Sequence, residues 1–213
     1  MEIKQDKVLV TGASGYIALH CISELLKQGY KVKGSLRDMS KEPLIRDYIK
    51  FDNEISNLEF CKLDLLNDKG WNEAFSDCDY VMHIASPFVI EEPKNEKELI
   101  EPALQGTLRA LNAANNNNIK KFILTSSMAS VAYGHSSKIC DNNNWTDTTK
   151  NVGAYVKSKT IAERAAWQFI KDNNVSFSLT TIHPGMVFGP LLSNEIKGAS
   201  VNLIANMISG KFP

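Results

Sequence analysis

Along the chain, short runs of apolar and β-branched residues alternate with longer segments whose apolar positions recur at helical spacing, the mark of a parallel sheet covered by helices. The predicted strands are Lys7–Val10, Lys31–Leu36, Leu58–Leu63, Tyr80–Ile84, Lys121–Thr125 and Ser178–Ile182. Helical periodicity falls at Tyr16–Gln28, Lys41–Phe51, Lys69–Phe75, Glu96–Asn115 and Gly153–Lys171. Gly29, Asp77 and the asparagine run 115–118 follow the first, third and fourth of these, and such residues tolerate the left-handed or turn geometry that ends a helix. Six strands in β-then-α order predict an α/β fold with a doubly wound parallel sheet. Residues 140–151 form a polar surface loop in this reading. After His183-Pro184-Gly185 one more apolar segment, Val201–Ile208, follows without closing a second domain.

Composition narrows the partners rather than the fold. Of 213 residues, 43% are apolar and 23% charged, as in ordinary globular proteins. Lys plus Arg and Asp plus Glu number 24 each, so no summed field steers the chain to nucleic acid or an anionic membrane. A small, locally recognised ligand fits better. The longest apolar stretches, such as Tyr80–Val89, fall far short of the ~20 residues of a membrane helix. Met1–Lys7 carries no signal-peptide core, and a cytoplasmic location is the expectation. Cys21, Cys61, Cys78 and Cys140 form no Cys-x-x-Cys pair and are expected as reduced, mostly core thiols. The four histidines show no ligand-spaced cluster, so no metal site is expected.

Chemistry enters at the first strand. Val8–Val10 runs directly into Thr11-Gly12-Ala13-Ser14-Gly15-Tyr16-Ile17-Ala18, and a helical pattern begins within that segment. A glycine turn between strand and helix is the context that dinucleotide binding requires. Gly12 permits the tight turn, and Gly15 lets the backbone approach a pyrophosphate. N–H groups around Ser14, Tyr16 and Ile17, at the positive end of the helix, then hold the phosphate. Ala18 supplies the small residue that helix-on-strand packing needs. About 20 residues on, at the end of the second strand, an acidic residue would receive the ribose 2′-hydroxyl of NAD. This chain has Leu36 followed by Arg37, whose guanidinium suits the 2′-phosphate of NADP. Asp38 could instead pair with Arg37 or reach the ribose.

Tyr155 and Lys159 stand four apart in a helical segment and therefore share one face. A phenol with a pKa of about 10 becomes a useful acid-base group when a cation beside it favours phenolate. Upstream, the apolar strand ending in Thr125-Ser126-Ser127 brings hydroxyls to the carboxyl edge of the sheet, where open α/β folds bind ligands. Ser127, in preference to Ser126, can polarise a carbonyl oxygen that Tyr155 protonates while a nicotinamide supplies hydride.

The combination Thr-Gly-x-x-Gly-Tyr-Ile-Ala at residues 11–18, Thr125-Ser126-Ser127 and Tyr155-x-x-x-Lys159 resembles the extended short-chain dehydrogenase/reductase family. Arg37-Asp38, residues 102–107 (Pro-Ala-Leu-Gln-Gly-Thr) and His183-Pro184-Gly185 narrow the resemblance to its dihydroflavonol reductase and cinnamoyl-CoA reductase-like branch, within the NAD-dependent epimerase/dehydratase superfamily. The resemblance implies a Rossmann fold and an NADPH-dependent reductase of a small aldehyde or ketone. Ser127, Tyr155 and Lys159 would then be its catalytic triad, with Lys159 also touching the nicotinamide ribose. It further implies that Asp64-Leu65 contacts adenine, Ala85-Ser86 lies along the cofactor's phosphates and ribose, and Pro184-Gly185 lines the nicotinamide. Ala103 stands where many epimerase-like relatives carry asparagine. The alternatives are an NAD-dependent nucleotide-sugar epimerase or dehydratase, and a non-catalytic dinucleotide-binding module. By the same resemblance, residues 1–185 form the dinucleotide-binding domain and residues 186–213 the start of a truncated substrate-binding region. Relatives often pair through the helices at Glu96–Asn115 and Gly153–Lys171, so a homodimer is the implied assembly.

Overall fold

The computed structural model describes residues 6–50, 55–87, 92–136, 139–192 and 199–210. Six strands, β1 (Lys7–Val10), β2 (Lys31–Leu36), β3 (Leu58–Lys62), β4 (Tyr80–His83), β5 (Lys121–Thr125) and β6 (Ser178–Ile182), make one sheet in the order β3-β2-β1-β4-β5-β6. Every pairing is parallel. The fold is the doubly wound α/β sheet that the pattern predicts, and the order reverses between β1 and β4, where such sheets open a ligand crevice.

Because successive side chains point to opposite faces, β1 serves two cores. Val8 and Val10 join Ala18, Leu19, Ile22 and Leu26 of helix α1 (Tyr16–Lys27) together with Ile45 and Ile49 of α2 (Glu42–Ile49). Leu9 faces the other way, into the layer of α3 (Trp71–Phe75), α4 (Lys97–Asn116) and α5 (Ala154–Asp172), where Phe75, Leu111 and Phe122 are fully covered. A last helix, α6, spans Ala199–Ile208. Phe51, the expected end of the second helix, lies outside the described residues, as do residues 193–198 and 211–213 of the terminal region. No described helix is long and apolar enough to cross a membrane.

The departures from expectation are short and have local causes. α3 begins at Trp71 rather than Lys69 because Gly70 adopts φ 85° and Lys69 N–H is taken by Asn67 Oδ1 at 3.0 Å. β3 stops before Leu63, although Leu63 N–H still reaches Leu36 O at 3.0 Å. α4 stops in the asparagine run, where Asn118 takes φ 49°. Asp77 ends α3 with a different chemistry: its carboxylate pairs with Lys33 and, at 2.6 Å, with Lys7. Glu59 completes that cluster at 2.8 Å from Lys7, which satisfies the buried Lys33 on β2. The 140–151 loop is less superficial than its polarity suggests. Thr146 is fully buried and donates to Ala129 O at 2.7 Å, and Arg164 of α5 lies over the Trp145 ring. Among the cysteines Cys78 is buried and the other three are half-buried, all as free thiols. Burial pushes the Cys61 thiol up to about 11 and that of Cys78 up to about 12.

Candidate active site

The turn after β1 is held open from three sides. Gly12 adopts φ 73°, and a Cβ there would stand 3.0 Å from Ala85 Cα. Only glycine takes that backbone without strain and lets the β1 and β4 ends approach. Gly12 N–H donates to Ser35 Oγ at 3.1 Å and Ala13 N–H to Ser35 O at 2.8 Å, pinning the turn to β2. Gly34 makes room for this contact, since a Cβ on it would lie 2.9 Å from Ala13 Cβ and 2.8 Å from the Phe60 ring. Gly15 precedes α1 in extended conformation with no side-chain cap, so the N–H groups of Tyr16 and Ile17 open the helix toward the crevice. The turn thus offers the cradle and helix N-terminus that a pyrophosphate needs.

Thr11 fastens the opposite wall. Its Oγ1 accepts from Ile84 N–H and Ala85 N–H, both at 3.0 Å, and lies 3.0 Å from His83 Nδ1. Ala85 and Ser86 are thereby held beside the glycine turn. Leu36 is buried at the end of β2, whereas Arg37 and Asp38 are exposed. Asp38 Oδ1 accepts from Ser40 N–H at 3.0 Å and Ser40 Oγ at 2.7 Å, and these bonds hold its carboxyl below the ordinary range. Asp64 Oδ1 accepts from Leu66 N–H at 2.9 Å after β3. Leu65 is committed elsewhere: its side chain packs on α4 where Gly106 leaves space, and its carbonyl accepts from Arg109 Nη1 at 2.8 Å.

Ser127, Tyr155 and Lys159 converge at the carboxyl ends of β5 and β4. Ser127 is buried, accepts from Ala129 N–H at 3.2 Å, and shares a hydrogen bond with the Tyr155 hydroxyl. Glu92 caps α5 by accepting from Ala154 N–H at 2.6 Å, directly before Tyr155. Lys159 Nζ, one turn further, donates to Thr125 O at 3.1 Å. Burial pushes its ammonium down to about 8, with the Glu163 charge opposing that fall. For Tyr155, burial raises the phenol above its ordinary value and the Ser127 hydrogen bond pulls the other way. The expected lowering by Lys159 is not found: the net shift is upward, from burial, and at neutral pH Tyr155 is protonated. Pro184 O accepts from Met128 N–H at 3.0 Å, which sets the His183-Pro184-Gly185 turn against the Ser127 turn.

Ser126 takes a different part from Ser127. Its Oγ lies 2.5 Å from Glu163 Oε2, in a buried cluster with Ser130 and His183. Gly34, His83, Glu92 and Glu163 were not singled out by motif. Of these only Gly34 carries a local signal, a glycine amid an apolar strand.

Parallel strand order, glycine turn at the topological switch and helix N-terminus together define a Rossmann-type dinucleotide-binding protein. The family model of the NAD dependent epimerase/dehydratase family matches residues 8–212, and the chain belongs to that family. It is 40% identical over 211 residues to a cinnamoyl-CoA reductase of Medicago truncatula, covering 95% of this chain and 64% of the relative. A bifunctional dihydroflavonol 4-reductase/flavanone 4-reductase of Malus domestica is 34% identical, with 90% of this chain and 57% of that protein covered. Among solved structures, yeast methylglyoxal/isovaleraldehyde reductase Gre2 complexed with NADPH superposes with a TM-score of 0.78 at 30% identity, covering 89% of this chain and 60% of that one. The chain thus spans less than two thirds of the length of each of these proteins.

Proposed function

We propose that the chain carries the cofactor-binding and proton-transfer machinery of an NADPH-dependent reductase that converts an aldehyde or ketone to an alcohol. The observation that carries this reading is the hydrogen bond between Ser127 and Tyr155, with the Lys159 ammonium one turn away on the same helix. The reductases named among its relatives support it, including the one solved with NADPH. Preference for NADPH over NADH rests on Leu36 at the acidic position and on exposed Arg37, with Asp38 occupied by Ser40.

Gly12, Ser14, Gly15, Tyr16 and Ile17 would hold the pyrophosphate, Arg37 the 2′-phosphate, and Asp64 the adenosine end. Ala85, Ser86 and Pro184 would flank the ribose and nicotinamide. NADPH, when bound, supplies the hydride. Ser127 Oγ, held by the N–H of Ala129 and hydrogen-bonded to Tyr155, would turn its proton from the Tyr155 oxygen to the substrate oxygen and polarise it. Tyr155, protonated at neutral pH, donates its phenolic proton to that oxygen as negative charge develops there. Lys159 stabilises the phenolate left behind and, in the same reading, binds the nicotinamide ribose. Residues 1–185 act as the dinucleotide domain, and residues 186–213 begin the part that encloses substrate, with Met186 and Phe188 offering exposed apolar surface at its start. Pairing of two copies through α4 and α5 is part of this proposal, and sedimentation as a monomer only would refute it.

The test is a fluorescence titration with NADPH followed by an aldehyde panel, run on the chain and on Tyr155→Phe. The chain is expected to bind NADPH and reduce at least one aldehyde. Tyr155→Phe should bind NADPH nearly as well and turn over about 10²- to 10⁴-fold more slowly. NADPH binding without turnover would reduce the chain to a binding module, and tightly held NAD in the purified protein would favour the epimerase chemistry.

A further inference from the structure

Glu163 lies one turn beyond Lys159 on α5 and is 2% exposed. A carboxylate so placed is costly unless every lone pair finds a partner. The Ser126 and Ser130 hydroxyls approach Oε2 at 2.5 and 2.6 Å, and His183 Nε2 lies 2.8 Å from Oε1 and 2.9 Å from Oε2. Trp167 Nε1 adds a donor at 3.4 Å. Ser130 Oγ also lies 2.8 Å from Ser127 O. One side chain therefore joins α5, the turn that carries Ser127 and the turn that begins with His183. Lys159 and Glu163 also line one small void, together with Ser86, Thr107 and Thr125.

A glutamine oxygen in the place of Oε2 would still accept from Ser126 and Ser130, while its amide nitrogen would face His183 Nε2 and Trp167 Nε1. What glutamine would lack is the charge. The hydrogen-bond acceptor of Lys159 is a neutral carbonyl, Thr125 O. Among the described residues His83 of β4 feels the Lys159 charge and Tyr155 stands one turn back on the same helix, and neither offers a negative charge at neutral pH. Around Glu163 the ionisable groups are Lys159 and His183. We propose that Glu163 is a positioning residue whose buried carboxylate, fixed by Ser126, Ser130 and His183, keeps the Lys159 side chain charged in the site. Burial pushes the Glu163 carboxyl up, but the two serine hydrogen bonds and His183 more than reverse this. The negative charge is therefore in place across the neutral range.

Its bearing on catalysis rests on the reductase reading, but the charge itself can be observed without turnover. Lysine labelled with ¹³C at Cε is incorporated into the chain, and the Lys159 resonance is assigned by its absence from Lys159→Arg. In the wild-type chain this resonance should titrate well below those of the exposed lysines. Glu163→Gln should lower the midpoint further, by about one unit. A folded Glu163→Gln chain with an unmoved Lys159 midpoint overturns the proposal, because a merely structural glutamate would change stability and leave that titration alone. If Glu163→Gln does not fold, Glu163→Asp carries the test. Its charge is withdrawn by one methylene, so the Lys159 midpoint should fall by a smaller amount, and no fall again overturns the proposal. Absence of aldehyde reduction would sink the reductase reading while leaving this titration unaffected.

Discussion

Thr11 Oγ1 and His83 Nδ1 meet at 3.0 Å across the ends of β1 and β4, and this contact fixes which nitrogen of the ring is protonated. Thr11 Oγ1 already accepts two backbone N–H groups, from Ile84 and Ala85, so its single proton goes to Nδ1. The ring proton of His83 is then on Nε2. Among the described residues that atom has no hydrogen-bond partner, and it lies in an apolar setting, with the Trp71 and Phe122 rings 6.3 and 6.0 Å away between centroids. A second proton would have to sit on Nδ1, against a Thr11 Oγ1 that already accepts two N–H groups.

His83 should therefore make the fold acid-sensitive in a window above that of the carboxylates. Burial and, second, the Lys159 charge push its imidazole down to about 3, against 6.5 for the free group. Below pH 6.5 the unfolded chain takes up a proton that the folded chain refuses until about pH 3. The stability is thus fully present above 6.5 and is lost as the pH falls toward 3. The expected slope between pH 6 and 5 is about 1.4 kcal/mol per unit from this one group. Urea unfolding of wild type and His83→Gln at pH 7.5, 6 and 5 reads it directly: the variant should lose the slope in this interval. Parallel curves for the two proteins would contradict the neutral buried ring.

Cofactor choice is expected to turn on Arg37. Replacement by alanine removes a charged donor from an exposed position at the end of β2 and touches no core residue. NADPH affinity should drop about 10- to 100-fold, the loss of one hydrogen bond to a charged group, with NADH affinity nearly unchanged. Equal losses for the two cofactors in fluorescence titrations would remove Arg37 from the 2′-phosphate.

At Gly12 the backbone at φ 73° and the 3.0 Å approach to Ala85 Cα act together. Gly12→Ala should lower the unfolding free energy by about 1–3 kcal/mol and weaken NADPH binding by more than tenfold. Calorimetry and the same titration check both halves. A variant with normal cofactor affinity would mean that the turn does not carry the pyrophosphate.

The neighbouring serines should separate by phenotype. Ser127→Ala removes the hydroxyl beside Tyr155 and should slow turnover about 10²- to 10³-fold, with about 1 kcal/mol of stability lost with the cap on Ala129 N–H. Ser126→Ala withdraws a donor from the buried Glu163 and should instead cost about 1–3 kcal/mol of stability. Initial rates with a reducible aldehyde and urea midpoints on both variants would expose an exchange of roles.

What could be recognised in the sequence was what short-range spacing encodes. β1, β2, β5 and β6 have the predicted limits because their apolar runs are bounded by turn residues. Gly12, Gly15, Tyr155 and Lys159 stand out for the same reason, since a strand-turn-helix and a four-residue step are local objects. Where one residue's conformation decided a boundary, as with Gly70 at α3, the periodicity ran past it. Partnerships across the fold left no such trace. Thr11 meets His83 from 72 residues away, and Ser126 meets Glu163 from 37. Glu163 is buried only because the sheet order brings the Ser126–Ser130 and His183 turns over it. Leu65 illustrates the converse, a motif position whose side chain is used for packing against Gly106.

The edge position of β6 bears on how the chain behaves in concentrated solution. Among the described residues this strand pairs only with β5, so one row of its N–H and C=O groups faces outward. Ile182, Met186 and Phe188 are about half exposed alongside it. Such a border is a template for strand addition by another copy. With a formal net charge of +0 at pH 7, the chain has little long-range repulsion to keep copies apart. Its tendency to aggregate should therefore be greatest near neutrality, and a lysine at Thr180, an exposed position of β6, is where a single added charge would oppose it most directly.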